Sequence, residues 1–445
     1  MSNLAKVAKA RAEDSVDTLL ARRNALMGPN APLLYESPLY LTEGRGVWLF
    51  DDKGRRYLDA YNNVPHVGHS HPAVVEAVTK QLGMLNTHSR YVSKVVLDYH
   101  EQLLSIVDLP QARGVLTCTG SESNELALRM ARHITGHAGI IVTDYTYHGN
   151  TAAVAELSTA FDVNPTGLPN YIRAIRAPAL PPKVQRGEGS PTEETLKAAY
   201  LKEVKDAIAY FDSHGIGVAA ILLDPIFSTD GLPDVVPGFV KEAVELVHQA
   251  GGLYIADEVQ PGLGRCGETW WGYQLHDAQP DIITLGKPLG NGYPVAGLIG
   301  RAEIVDRFRS EVMYFNTFGA TPVACAAGSA VLQVIERENL IDNARETGSL
   351  MLRKLSELTS KHDCIGDVRG KGLFIGVELV EKGGRYEPDS KMAKRVIEGM
   401  RNEGVLISKI GKYDNVLKIR PPMPFTAEHV TQFVDSMDLV LSNLR

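Results

Sequence analysis

The chain of 445 residues is long enough for two or three domains and for a hydrophobic core that needs no disulfide bonds. Its hydrophobic fraction of 44% and charged fraction of 22% are those of an ordinary globular protein. The formal net charge of -7 provides no basic face for nucleic acid, so an anionic ligand must be bound by a local cluster of donors.

The cysteines indicate a reducing compartment. Cys118, Cys266, Cys325 and Cys364 lie far apart and form no C-x-x-C pair, which argues against a disulfide framework or a zinc site. Residues 1–24 predict an amphipathic helix rather than a secretory signal, because they contain acidic residues and lack a long apolar core. No apolar stretch is long enough to cross a bilayer. We therefore expect a cytoplasmic protein without a membrane anchor.

The first structured segment is predicted to be a β-hairpin. Val47–Tyr61 contains an apolar strand, an Asp-Asp-Lys-Gly turn and a second strand, and a helix is predicted to begin at Pro72. Three histidines, His66, His69 and His71, precede that helix. A metal site would favour two ligands four residues apart on one rigid element, so a tight turn is the preferred interpretation, with a substrate contact by His66 as the alternative.

The start of the next long helix is a candidate phosphate site. A strand is predicted at Val115–Cys118, and a helix begins directly after it near Ser121. Thr119, Gly120 and Ser121 would present backbone N–H groups at the helix start, where a phosphate is held by amides and by the helix dipole. Ser121 as an ordinary N-cap explains the same residues. These residues alone leave both interpretations open.

Strands and helices then alternate, which predicts an α/β fold with a largely parallel sheet and right-handed crossovers. A strand at Ile140–Thr143 is followed by a Pro- and Gly-rich connection, Phe161–Glu194, around one strand near Tyr171–Ile175. The alternation continues with helix Thr192–His214, strand Val218–Leu223, helix Pro237–Gln249 and strand Leu253–Ala256.

Two residues at predicted strand ends suggest a specific chemistry. Asp257 follows one buried strand, and Lys287 follows the next, Asp281–Leu285, in a bend flanked by Gly and Pro. Parallel sheets place ligands beyond such strand ends. A lysine and an aspartate held in this way suit a Schiff base to pyridoxal phosphate, in which the aspartate keeps the ring nitrogen protonated. A salt-bridged lysine in a surface loop is the simpler alternative.

The string DEVQ-x-G-x-G-R-x-G, with Lys287 thirty residues after Asp257, resembles the class III (subgroup II) aminotransferases, which are fold type I pyridoxal phosphate enzymes. The resemblance implies that Lys287 binds the cofactor and acts as the general base, and that Asp257 contacts the pyridine nitrogen. It also implies that Gln260 contacts the ring hydroxyl, and that Tyr147, in an aromatic-His-Gly string, stacks on the ring.

The resemblance extends to the cofactor phosphate and to the assembly. It implies that Gly120 and Ser121 bind the phosphate, and that Thr317, in Tyr-Phe-Asn-Thr-Phe-Gly, reaches the phosphate of the neighbouring subunit. A homodimer with shared active sites follows. The implied architecture is a large cofactor domain, residues 47–325, and a smaller α+β domain, residues 326–445, which the N-terminal segment, residues 1–46, joins.

The substrate-binding residues are less well determined. Arg420, in Leu-Lys-Ile-Arg-Pro-Pro, matches a position where many relatives hold a substrate carboxylate, and an exposed arginine at a strand end is the alternative. Arg265 is common across the family. Asp224 stands where the family usually has a glutamate, and its side chain is shorter. The candidates for contact with the substrate are Arg265, Arg420, Asn62, Asn63 and His66.

Two segments resemble one branch of the family, the ethanolamine-phosphate and phosphohydroxylysine phospho-lyases. They are Tyr61-Asn-Asn-Val-Pro-His-Val-Gly-His-Ser-His-Pro and Leu85-Asn-Thr-His-Ser-Arg-Tyr. This resemblance implies elimination of phosphate and ammonia from an amino-alcohol phosphate, with O-phosphoethanolamine giving acetaldehyde. The alternatives are an ω-aminotransferase that uses an amine or ω-amino acid with a keto-acid acceptor, and a cofactor-binding sensor, which would not need the full set of catalytic residues.

Overall fold

The structure, a computed structural model, describes residues 15–161, 167–187, 189–381 and 386–444. The strands of these residues are β1 (Leu41–Arg45), β2 (Trp48–Asp51), β3 (Arg56–Asp59), β4 (Arg113–Thr117), β5 (Gly139–Thr143), β6 (Ile172–Ile175), β7 (Val218–Leu223), β8 (Leu253–Asp257), β9 (Ile282–Leu285), β10 (Ala296–Gly300), β11 (Ile365–Lys371), β12 (Phe374–Leu379), β13 (Val405–Leu406), β14 (Ser408–Ile410) and β15 (Val416–Ile419).

The α-helices are α1 (Val16–Met27), α2 (Pro72–Leu82), α3 (Lys94–Ser105), α4 (Gly120–Thr135), α5 (Ala152–Glu156), α6 (Glu193–Ser213), α7 (Phe239–Gln249), α8 (Ala302–Glu311), α9 (Pro322–Arg337), α10 (Leu340–Leu358), α11 (Ser390–Asn402) and α12 (Ala427–Asn443). Short 3-10 helices lie at Lys183–Gln185 and Gly272–His276. Helix α1 overlaps the C-terminal part of the segment where an amphipathic helix was expected and extends three residues beyond it, but none of its residues is buried. Residues 1–14 lie outside the described residues.

The central element is a seven-stranded sheet with the order β4-β10-β9-β8-β7-β5-β6. Strands β5 to β9 pair in parallel, and β10 is antiparallel to both β9 and β4. The predicted α/β fold with a mostly parallel sheet is therefore confirmed, and β10 is an additional strand. On β7, Ile221 and Leu223 pack into one core cluster, and Ala220 and Leu222 pack into the other. Both faces of the sheet are thus covered, which explains its continuous apolar strands.

The sheet brings the functional strand ends to one edge. Strands β7, β8 and β9 are parallel neighbours, so their carboxyl ends lie side by side. Asp224 directly follows β7, Asp257 ends β8, and Lys287 comes two residues after β9. Strand β4 has the same direction, because β10 is antiparallel to both β4 and β9, and it leads into α4 at this edge. The sheet topology therefore places these residues next to one another at one edge of the sheet.

The N-terminal hairpin forms as predicted, but it does not join the large sheet. Strands β1, β2 and β3 form a separate sheet with β13, in which Leu58 and Asp59 are the parallel partners of Val405 and Leu406. The expected boundary at residue 47 does not match this pairing. We propose that residues 41–59 belong with the C-terminal unit, whose second sheet has the order β11-β12-β15-β14.

No helix within the described ranges is both long and apolar enough to cross a membrane.

The packing of α10 on the turn between β11 and β12 generates a test of the fold. A Cβ atom on Gly348 would lie 2.1 Å from the carbonyl oxygen of Gly372, far inside van der Waals contact. Gly348→Ala should therefore lower the unfolding free energy by about 1–3 kcal/mol, although alanine favours helix more than glycine does. The measurement is the thermal unfolding midpoint. The control is Glu346→Ala on the same helix, and an equal or higher midpoint for Gly348→Ala would contradict the packing.

Candidate active site

The strand ends and the start of α4 surround a cavity of about 90 Å³. Its walls include both strand-end carboxylates, the predicted lysine and the loop after β5. The lining residues are Gly120, Ser121, Tyr147, His148, Gly149, Asp224, Asp257, Val259, Gln260 and Lys287. The cavity thus brings together six of the seven residues for which the resemblance implied contact with the cofactor, and Thr317 is the exception.

Lys287 has the properties of a reactive amine. Its side chain is partly exposed to the cavity, whereas the neighbouring residues 281–286 and 288–290 are buried. Burial, and then the positive charge of Arg420, lower the pKa of Lys287 to about 8, against the opposing effect of Asp257 and Asp224. A larger neutral fraction near neutral pH makes the amine both a better nucleophile and a usable base.

Asp257 is held in one orientation by three donors. Its Oδ2 accepts hydrogen bonds from Asn124 Nδ2 at 2.9 Å and from His148 Nδ1 at 2.7 Å, and its Oδ1 accepts one from the backbone N–H of Val259 at 3.1 Å. Asn124 and His148 were not among the predicted site residues. His148 belongs to the aromatic-His-Gly string, and Asn124 lies one helical turn after Gly120, so the sequence contained a signal for both.

The start of α4 forms a narrow cradle of backbone. Thr119 is the N-cap and shares a capping box with Glu122, so the interpretation of Ser121 as the cap is wrong. A Cβ atom on Gly120 would lie 2.9 Å from the side chain of Val259, and one on Gly149 would lie 2.6 Å from Ser121 Oγ. Only glycine fits these positions. The first N–H groups of the helix are left close to the cavity, as a bound phosphate requires.

Gln260 connects the seven-stranded sheet with the C-terminal sheet through a chain of hydrogen bonds. Its Nε2 donates to Ser228 Oγ at 2.6 Å, and the Ser228 hydroxyl donates to Asp224 Oδ2. Its Oε1 accepts from Lys418 Nζ at 3.2 Å and from Arg420 Nη1. Lys418 and Ser228 were not predicted as site residues. The side chain of Gln260 is therefore fixed, with its oxygen directed at two cations.

Arg420 is a buried cation rather than an exposed residue at a strand end. It is only 6% exposed, its Nε donates to the carbonyl of Tyr61 at 3.0 Å, and its guanidinium lies 4.9 Å from the centre of the Tyr61 ring. The carboxylate of Asp224 is bound by the side chain and backbone N–H of Ser228 and by the backbone N–H of Ile226. Within the described residues, no carboxylate forms an ion pair with Arg420.

Arg265 and His66 are bound to the protein instead of facing the cavity. Arg265 Nη1 donates to the carbonyls of Leu373 and Pro421 at 3.0 and 2.8 Å, and Nη2 donates to His66 Nδ1 at 3.2 Å. Burial, and then Arg265, lower the pKa of His66 to about 3, and its Nε2 donates to the carbonyl of Leu263 at 2.7 Å. These contacts indicate structural roles and count against the expectation that either residue binds substrate.

The other candidate residues occupy varied settings. Asn62 is bonded through both its backbone N–H and its side chain to Asp59 Oδ1. Asn63 is 1% exposed, and its Nδ2 has no partner among the described residues. Thr317 is exposed on the surface beside α4, where the neighbouring Asn316 donates to Glu122 Oε1 at 3.2 Å. None of these three residues lines the cavity in the described part of the chain.

His69 and His71 support the interpretation of a structural turn. His69 Nε2 donates to Asp59 Oδ2 at 2.6 Å. His71 caps the start of α2 and lies 3.2 Å from Glu338 through its Nε2. Together with His66, the histidines therefore contact different partners instead of converging on one site.

Comparisons with known proteins agree with this geometry. Residues 34–441 match the sequence profile of the family Aminotransferase class-III. Ethanolamine-phosphate phospho-lyase homolog 1 of Caenorhabditis elegans is 40% identical over 446 residues, covering 96% of this chain and 94% of that protein. Mitochondrial alanine–glyoxylate aminotransferase 2 of Homo sapiens is 35% identical over 431 residues, covering 91% and 82%.

A solved structure gives a similar result. The phospholyase from Arthrobacter in complex with phosphoethanolamine superposes with a TM-score of 0.92 at 43% identity, covering 96% of this chain and 100% of that one. The matches extend over nearly the whole chain, and the cavity contains the lysine and the aspartate on which the family chemistry depends. The chain therefore belongs to the class-III aminotransferase family and is a pyridoxal-phosphate-dependent enzyme.

Proposed function

We propose that the protein is a phospho-lyase that eliminates phosphate and ammonia from an amino-alcohol phosphate, with O-phosphoethanolamine as the substrate and acetaldehyde as the product. The observation that carries the proposal is the guanidinium of Arg420, which donates a hydrogen bond to Gln260 in the cavity wall and forms no ion pair with a carboxylate among the described residues. The phospho-lyase relatives support the same reaction.

The residues of the cavity fit the cofactor. When pyridoxal phosphate is bound, its protonated ring accepts the electron pair that is released when the substrate loses a proton. Asp257, fixed by Asn124 and His148, would stabilise the positive charge on the ring nitrogen. The backbone cradle at Gly120 and Ser121 would hold the cofactor phosphate. Tyr147 lines the cavity, where it would stack on the ring.

Lys287 would transfer the proton. Its Nζ, with a pKa lowered to about 8, would take the proton from the substrate carbon that bears the nitrogen. A positioned base of this kind contributes about 10²- to 10⁴-fold to the rate. The reaction then depends on the next carbon, because a phosphate held there can leave. Overall, one water is consumed, and acetaldehyde, ammonium and hydrogen phosphate are released.

The charges beside the cavity favour elimination over transamination. Loss of one donor that stabilises developing negative charge typically costs about 2.7–4 kcal/mol. Arg420 would be such a donor, because no carboxylate pairs with it among the described residues. Asp224 is shorter than the usual glutamate, and its oxygens accept hydrogen bonds from Ser228 and Ile226 instead. A permanently available cation suits a substrate that always carries an anionic group. An ω-aminotransferase is the second candidate, since an ω-transaminase from Thermomicrobium roseum shares the fold.

We also propose that the enzyme is a homodimer with shared sites. Large apolar side chains are exposed on the segment of Thr317, where Met313 is 85% and Phe318 70% exposed, and Val92 is 96% exposed in the segment whose Arg90 guanidinium lies 3.8 Å from the centre of the Phe315 ring. Surfaces of this kind mark protein interfaces. A second copy would cover these side chains and would place Thr317 beside the phosphate cradle of its partner, as the family resemblance implies.

The assignment of Lys287 predicts a covalent label. The purified enzyme should be yellow, and borohydride should remove the colour and leave the reduced cofactor on Lys287, as detected by peptide mass spectrometry. Lys287→Ala should reduce turnover by at least about 10²-fold, because the base is lost. Label on another lysine, or turnover at the wild-type rate in the variant, would refute the assignment.

The proposed reaction predicts turnover without a second substrate. Enzyme incubated with O-phosphoethanolamine alone should release acetaldehyde, ammonia and phosphate in equal amounts over many turnovers, since elimination regenerates the starting form of the cofactor. Each product is measured separately. Turnover that occurs only after addition of pyruvate or another keto acid, with the phosphate ester intact, would identify an aminotransferase instead.

The shared site predicts complementation between two damaged subunits. In a mixed dimer of Lys287→Ala and Thr317→Ala subunits, one site receives an intact lysine and an intact threonine. Dissociation and reassociation of the mixture should therefore give more activity than the average of the two parent variants. Sedimentation should show a dimer, whereas a fully active monomer would exclude a shared site.

A further inference from the structure

Lys418 is a second buried basic residue, in contact with the cavity wall through Gln260. It lies on β15 two residues before Arg420, so the two side chains leave the strand on the same face. Both bind the same atom, Gln260 Oε1, with Lys418 Nζ at 3.2 Å, and Gln260 lines the cavity. Lys418 is only 7% exposed. Its ammonium group is therefore within hydrogen-bonding distance of an atom in the wall of the active site.

The surroundings of Lys418 make its ammonium group more acidic. Burial, then Arg420 and Lys287, lower its pKa well below the ordinary value, and Asp224 opposes them. Gln260 Oε1 is a neutral acceptor, so it does not cancel the charge of the ammonium. The remaining close contact is the ring of Phe374, whose centre lies 5.6 Å from Nζ. A cation in this setting is a stronger acid than an exposed lysine.

The proposed reaction requires such an acid. A phosphate monoester is largely a dianion at neutral pH, because its second pKa is about 6. If the carbon–oxygen bond broke without proton transfer, the product would be the phosphate trianion, which is a strong base and a poor leaving group. Arg420 cannot supply the proton, because a guanidinium is not deprotonated in proteins. Lys287 is already assigned to proton removal from carbon.

We propose that Lys418 is the general acid that protonates the departing phosphate, an assignment that rests on the proposed phospho-lyase function. As the carbon–oxygen bond breaks, both of its electrons remain on the bridging oxygen, and a proton passes from Lys418 Nζ to that oxygen. Hydrogen phosphate leaves as a dianion. Lys418 becomes a neutral amine and regains a proton from water before the next turnover. Arg420 would offset part of the negative charge of the phosphate throughout.

The test separates proton transfer from charge by using two substitutions and two leaving groups. Lys418→Arg keeps the positive charge but cannot release a proton, and Lys418→Met removes both. O-phosphoethanolamine is compared with its sulfate ester analogue, O-sulfoethanolamine, because sulfate leaves as a stable dianion without protonation. The matched control is Lys412→Arg, an exposed lysine in the turn between β14 and β15. Absorbance of the bound cofactor verifies that each variant is folded and loaded.

For Lys418→Arg, kcat with the phosphate ester should fall by about 10²- to 10⁴-fold while KM changes little, and kcat with the sulfate ester should change far less. Lys418→Met should lose at least as much and should also raise KM for the phosphate ester. Lys412→Arg should behave like the wild type. An equal loss on both esters, or a wild-type kcat for Lys418→Arg, would overturn the acid role.

The wild-type enzyme provides a measurement that does not depend on the folding of a variant. A solvent deuterium isotope effect on kcat should be larger for the phosphate ester than for the sulfate ester, and equal effects would overturn the proposal. If the wild type releases no phosphate from O-phosphoethanolamine, the proposed function itself fails. Phosphate release that is insensitive to Lys418→Arg leaves the function intact and removes only the role of Lys418.

Discussion

The site depends on positive charge buried beside a neutral hydrogen-bond acceptor. Lys418 and Arg420 both donate hydrogen bonds to Gln260 Oε1. Repulsion from neighbouring positive charges lowers the pKa values of Lys418 and Lys287. Burial of a cation without an opposite charge is costly. The nearby carboxylate of Asp224 attracts all three cations, but its oxygens accept hydrogen bonds from Ser228 and Ile226 instead of forming an ion pair with them among the described residues. An anionic substrate would supply the direct ion pair that these cations lack among the described residues.

The sequence predicted the elements of the fold well, because their signals are local. Buried strands appear as continuous apolar runs, and the residues at their ends are conspicuous. The strand at Val218–Leu223 was predicted with the bounds that the structure shows. Strand β10 was overlooked, because Ala296–Gly300 contains two glycines, which weaken the signal of a strand. The sheet to which the N-terminal hairpin belongs was also not predictable, since β3 pairs with residues near position 405.

The partners of the site residues could be predicted only in part, because most of them are distant in sequence. Asn124 contacts Asp257 across 133 positions, and Lys418 contacts Gln260 across 158. The hydrophobic periodicity of a sequence does not predict contacts between residues so far apart. Arg265 illustrates the opposite problem. It lies in the most diagnostic string of the chain, yet its guanidinium is directed into the protein and bonded to the carbonyls of Leu373 and Pro421. A motif identifies a residue without giving the direction of its side chain.

The position of Gln260 has a mechanical consequence. Gln260 follows a strand of the seven-stranded sheet, whereas Lys418 lies on a strand of the C-terminal sheet and Arg420 follows it, so the hydrogen bonds at Gln260 join two layers of the fold. A relative rotation of the layers would pull the cations away from the cofactor side of the cavity. An anion that bridges them would oppose that rotation, and by linkage its affinity would depend on how closed the layers are. Substrate charge and domain closure would then be two measures of the same equilibrium.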